Sequence, residues 1–186
     1  MKVTKQQLLD AGACSSVVLY FDDIKRKQWD VKKLLKHVIK QGNYSDAVYG
    51  LSYLMTHEQR IEWSIYCAYE CLHEFEKEYP DDSRPRKAIE AAQKYLDNPC
   101  SETQELTWSA RSAARSARST AWAATGAAEW SAAWSAAKSA ESTIESARSA
   151  WSTARSTGRT VELAAESAAY EKLLQKGLEI LLGERL

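Results

Sequence analysis

Residues 107–124 read TWSARSAARSARSTAWAA, and residues 129–142 read EWSAAWSAAKSAES. Nearly every position between the large side chains is Ala or Ser, and the pattern runs from about Trp108 to Ala169. Such a tract is either low-complexity filler or helix. Serine in disordered segments keeps company with Pro and Gly, and aromatics are scarce there. This chain has three Pro and seven Gly against seven Trp, five of which fall in the tract. Ala is also the strongest helix former. The tract therefore reads as helix. An unbroken helix of that length would reach about 80 Å, so Gly126 and Gly158, its only glycines, mark bends or connections.

Placed at 100° per residue, the side chains sort by size. Trp108, Arg111, Arg115, Arg118 and Trp122 share one narrow stripe, with Ala110, Ala113, Ala114, Ala117, Ala121 and Ala124 broadly opposite. Further along, Trp130, Trp134, Lys138, Glu141, Glu145, Arg148, Trp151 and Arg155 share a side, and Ala132, Ala136, Ala140, Ala147, Ala150 and Ala154 form another. Small stripes let helix backbones come closer than the usual 8–10 Å or so. The large side supports two readings. The tryptophans pack beneath other helices with the charges at the rim, or some are exposed beside Arg as a recognition face, Trp and Arg being frequent binding anchors. The Arg111–Arg115–Arg118 row also has a plain reading, as salt-bridge partner to Glu141 and Glu145 on a neighbouring helix.

The rest of the chain carries helix punctuation. Thr4 with Gln7 and Thr56 with Gln59 form capping-box patterns. Ser15 or Ser16 opens VVLYFDDIK, Asp30 caps VKKLLKHVIKQ, Gly42-Asn43 stops it, and Ser45 opens DAVYGLSYLM. A helix follows from about His57 to Tyr79. Asp82 or Ser83 caps the next, with Pro85 in its first turn and Pro99 at its end, and Ser101 with Gln104 starts the Ala/Ser region. VELAAESAAYEKLLQKGLEILL closes the chain with Leu-rich amphipathicity. No strand pairing is evident, and everything reads as helix.

Composition narrows the function classes. The 186 residues carry 25 Lys and Arg against 25 Asp and Glu, which argues against a nucleic-acid binder. No apolar run of about eighteen residues exists, and the N-terminus lacks the apolar stretch of a secretory signal. A cytoplasmic protein is expected, with Cys14, Cys67, Cys71 and Cys100 as reduced thiols. Cys67 and Cys71 lie one turn apart, but His57, His73, Cys14 and Cys100 complete no zinc spacing. No phosphate loop, HExxH or GxSxG is present, and Asp81-Asp82 sit where a turn and helix cap need them. No metal, cofactor or enzymatic activity is expected.

The stretch WSIYCAYECLHEFEKEYPDDSRPRKAIEAAQKYLDNP with its Ala-rich helical tail resembles immunity proteins associated with bacterial polymorphic toxin systems, over roughly residues 60–150. YPDDSRPRKAIEAA is the most specific part, although the family's tails are plainer than this one. VTKQQLLDAGACSSVVLYF, the Trp-studded repeats and the closing YEKLLQKGLEILL are similar to uncharacterised phage-encoded helical proteins. These resemblances imply a non-enzymatic, cytoplasmic helical inhibitor that binds and neutralises a partner. That partner is a toxin or, for a phage-encoded protein in its host's cytoplasm, a defence component.

The expectation is an all-α protein, with a small N-terminal helical unit packed on a bundle of long Ala/Ser-rich helices. Residues 1–56 and 57–186 form the two parts, or one continuous domain. The candidate binding residues are Trp108, Arg111, Arg115, Arg118, Trp122, Trp130, Trp134, Lys138, Glu141, Arg148 and Trp151. Two rivals remain. One is a sponge that sequesters a nucleotide immune signal in a Trp/Tyr/Arg-lined pocket, and the other is a structural helical protein. The close Ala faces suit a homodimer equally well.

Overall fold

Local side-chain capping starts three of the described helices where the sequence directs. The computed structural model describes residues 1–13, 15–23, 27–125, 159–165 and 170–183. Helix α1 (Lys5–Asp10) opens on a full capping box, in which Thr4 accepts the Gln7 N–H at 3.2 Å and the Gln7 side chain accepts the Thr4 N–H at 2.8 Å. Helix α2 spans Ser15–Asp23. Asp30 accepts the Lys33 N–H at 3.3 Å and opens α3 (Val31–Lys40), and Gly42, at φ +78°, turns the chain away after it. Helix α5 (His57–Glu78) opens on a second capping box, Thr56 with Gln59.

Two expected starts differ, and at a third the two expected candidates divide the cap between them. Helix α4 (Tyr44–Leu54) begins at Tyr44 rather than after Ser45, with Asn43 at its cap position and no side-chain bond there. At α6 (Arg84–Asp97) Ser83 holds the cap position without a side-chain bond, and Asp82 accepts the Arg84 N–H at 3.1 Å instead. At α7 (Ser101–Thr125) the side-chain bond joins Cys100 to Thr103, not Ser101 to Gln104; the Cys100 N–H donates to Thr103 Oγ1 at 3.1 Å. At α6 and α7 the neighbouring polar groups Asp82 and Thr103 satisfy backbone donors at the helix start.

A further correction concerns strands. The fold is all-α except for a short antiparallel pair, β1 (Lys2–Thr4) and β2 (Gln28–Asp30), in register Lys2↔Asp30, Val3↔Trp29 and Thr4↔Gln28. Three residues carry no usable periodicity, so the pairing of segments separated by α1 and α2 escapes a local reading. The pair closes the N-terminal unit over Val3, Leu8, Val17, Val18 and Phe21.

Helix α5 is central because it is apolar on two sides. Trp63, Cys67, Cys71 and Phe75 face a cluster shared with α3, α4, helical residues 159–165 and α8 (Tyr170–Leu182). Ile61, Ile65, Ala68 and Leu72, each set offset by three or four residues, face Ala88, Ile89 and Ala92 of α6 and Ala114 of α7. The larger cluster thus joins residues on both sides of position 56. Gln59 ties α5 to α8 as well, donating from its amide to the Ile180 carbonyl at 2.9 Å. Trp63 also packs closely over Gly177. Trp63 is fully buried, and its indole N–H donates to the Leu173 carbonyl at 2.8 Å. A Cβ at Gly177, one turn further on, would lie within 2.8 Å of three atoms of that ring.

At the start of α5, the half-buried His57 ring meets Tyr95 edge-on at 6.5 Å between centroids. Burial, more than the neighbouring Arg60, pulls its pKa below the ordinary 6.5, against the opposing pull of Glu58. The folded state therefore resists protonation, and stability held above pH 6.5 falls as pH drops through that range. The His57 ring signals in an NMR titration are expected to show a midpoint below 6.5; a midpoint at or above it contradicts the assignment.

Candidate functional site

Helix α7 divides its faces by side-chain size. Its contact side carries Thr103, Thr107, Ala110, Ala114 and Ala117, spaced at four and three residues. Thr107, Ala114 and Ala117 are fully buried. Ala114 packs with Ala88, Ile89 and Ala92 of α6, so the small side chains do meet small neighbours as their spacing suggested. The Thr107 hydroxyl is satisfied within the helix, donating to the Gln104 carbonyl at 2.6 Å. Thr103 binds the start of the helix to the preceding turn, donating to the Asn98 carbonyl at 2.8 Å.

Away from that seam, Trp108 is 53% exposed and Arg115 is exposed, while Arg111 lies half-buried on the flank between them and the seam. Trp108, Arg111 and Arg115 follow one another at three and four residues, so the helix brings them to one side. Leu106, 46% exposed, marks the opposite flank. Packing beneath other helices, one of the two readings of these tryptophans, does not describe Trp108. It describes Trp63 instead, which the Ala/Ser pattern does not include. Arg118 and Trp122 belong to α7, but their side chains lie outside the described residues, as do Trp130, Trp134, Lys138, Glu141, Arg148 and Trp151. The expected pairing of the arginines with Glu141 and Glu145 lies outside them too.

The edge of α7 next to α6 is fixed by Arg84. Its guanidinium clasps Asp82 through two bonds, Nε to Oδ1 at 2.8 Å and an Nη to Oδ2 at 2.5 Å, and donates to the Ser116 hydroxyl at 2.8 Å. The Arg84 side chain beside it holds the Asp82 carboxyl below its usual range. Asp82 thereby works as a brace, already saturated with donors, rather than as an acid or base. This cross-tie joins the start of α6 to α7 through Asp82 and Ser116.

Burial mutes the two cysteines of α5. Cys67 and Cys71 are fully buried, and the Cys71 thiol donates to the Cys67 and Ala68 carbonyls at 3.5 and 3.4 Å. Desolvation drives the Cys67 pKa well up, which removes the thiolate that a nucleophile or metal ligand needs. Among the described residues no group of three or more His, Cys, Asp or Glu is placed to hold a metal, and no helix is long and apolar enough to cross a membrane. The apolar cavity of about 30 Å³ beneath α2, α3 and α4 is lined without Trp or Arg, as is an open groove along α3 and α8.

No curated protein and no solved structure matches the chain. A family model does match, over residues 34–181, from within α3 to the end of α8. The chain belongs to the family of unknown function DUF6931.

Proposed function

We propose that the protein is a non-enzymatic inhibitor that captures a protein partner on the outer side of α7. The observation that carries this reading is the half-exposed Trp108 in line with Arg115, on a helix held from its other side by Ala114 and tied to the start of α6 by the Arg84–Ser116 bond. A rigid helix presenting Trp and Arg offers two strong anchor types at low ordering cost. The resemblance of residues 60–150 to toxin-immunity proteins gives the partner class, a toxic effector neutralised in the cytoplasm by steric occlusion.

The test is binding and protection together. The full chain is co-expressed with the product of each neighbouring gene that is toxic to the cell, cell survival is scored, and complex affinity is measured by calorimetry. Trp108→Ala with Arg115→Glu is expected to weaken capture about tenfold to a hundredfold and to abolish protection, while the circular dichroism melt is unchanged. Full protection by the double variant overturns the reading, as does an effector that the wild-type chain does not bind.

A further inference from the structure

The first forty residues are basic, nine lysines and arginines standing against four aspartates in a chain whose net charge is zero. Four of those cations, Lys32, Lys33, Lys36 and Lys40, belong to α3, whose sequence VKKLLKHVIK contains no acid. Lys32, Lys36 and Lys40 line one wall of a groove of about 450 Å³ between α3 and α8. At one helical turn per step they form a row about 12 Å long. Among the described residues neither Lys36 nor Lys40 has an ion pair. Beneath the row the groove is apolar, with Leu35, Leu174 and Leu178 buried and Ile39 half-buried. Glu171 and Gln175 of α8 form the far wall.

We propose that this groove receives an acidic amphipathic helix from a partner protein. A row of ammonium groups one turn apart matches carboxylates spaced at four residues on a helix laid alongside, and the apolar floor takes that helix's hydrophobic stripe. A small anion would engage one lysine and leave the rest of the row unused. Glu171 on the opposite wall favours a cation on the partner's other flank, which fixes the direction in which the helix lies. The groove is built from α3 and α8, not α7, so the proposal stands apart from the Trp108–Arg115 face and holds whether or not that face binds.

Two synthetic helical peptides sharing a leucine stripe provide the test, one with glutamates at three positions one turn apart and one with lysines there. Each is labelled with a fluorophore and titrated with the full chain by anisotropy. The acidic peptide is expected to bind, more weakly as salt rises, and the basic peptide is not. Lys36→Glu with Lys40→Glu should weaken acidic-peptide binding about tenfold with an unchanged melt. Lys36→Gln with Lys40→Gln should give a smaller loss, which keeps the test open if charge reversal disturbs folding. Equal binding of the two peptides, no binding of the acidic one, or affinity untouched by both variants overturns the proposal. So does preferential binding of phosphatidylglycerol vesicles or a single-stranded oligonucleotide, because the lysines would then be reading phosphates.

Discussion

Replacing Gly177 by alanine should cost about 1–3 kcal/mol of stability, and by leucine about 3–5 kcal/mol, although both residues are better helix formers. Glycine within a helix normally costs about 1 kcal/mol relative to alanine, so at an ordinary site the sign would be opposite. Here the missing side chain makes room for the Trp63 ring, three atoms of which would lie within 2.8 Å of a Cβ. Trp63 has nowhere to retreat. It is fully buried among α4, α5 and α8 residues, and its indole N–H is committed to the Leu173 carbonyl at 2.8 Å. Moving the ring strips a buried donor of its acceptor as well as opening the packing. Chemical denaturation of Gly177→Ala, Trp63→Phe and the double variant forms a cycle that isolates this clash. The double variant should be more stable than the two single losses predict, because the smaller ring lacks the atoms that collide. Additive losses, or a stabilised Gly177→Ala, would show that the contact is slack.

That pairing illustrates what the sequence displays and what it withholds. Capping at Thr4, Asp30 and Thr56 is legible because donor and acceptor lie three residues apart, and the Ala stripe of α7 is legible because it repeats. Trp63 and Gly177 are separated by more than a hundred positions, and nothing near either one announces the other. Trp63 sits in WSIYC with ordinary neighbours, and Gly177 interrupts an otherwise Leu-rich amphipathic helix. A glycine inside such a pattern was the available signal, since an interior helical glycine usually has a packing reason. The strand pair is hidden for the same reason, its segments being short and distant. For the candidate face, periodicity placed Trp108, Arg111 and Arg115 on one side, yet burial is a tertiary property. The sequence does not separate the exposed Trp108 from the half-buried Arg111. The lysine wall was visible as three residues at a spacing of four, but the floor between α3 and α8 needs both helices in place.

Ala114→Leu combined with Ala117→Leu should destabilise the protein by about 2–6 kcal/mol, adding two overpacking costs of about 1–3 kcal/mol each. Both alanines are fully buried, but they serve different neighbours. Ala114 packs into the cluster of α5, α6 and α7, and Ala117 into the larger cluster that contains Trp63 and α8. One helix therefore seals two cores with methyl groups, and neither site has space for three more carbons. For a chain of this length the loss corresponds to a fall in melting temperature of roughly 4–24 °C, against roughly no change for the exposed Ser112→Ala on the same helix. The comparison also separates support from recognition. Trp108→Ala removes a half-exposed side chain and should spare the melt while weakening capture; the alanine pair should lower the melt and weaken capture only through displacement of α7. If leucine at both positions left the melt intact, α7 would be loosely docked. It could not then hold Trp108 and Arg115 in a fixed relation, and the rigid face on which the proposed inhibition by occlusion depends would be lost with it.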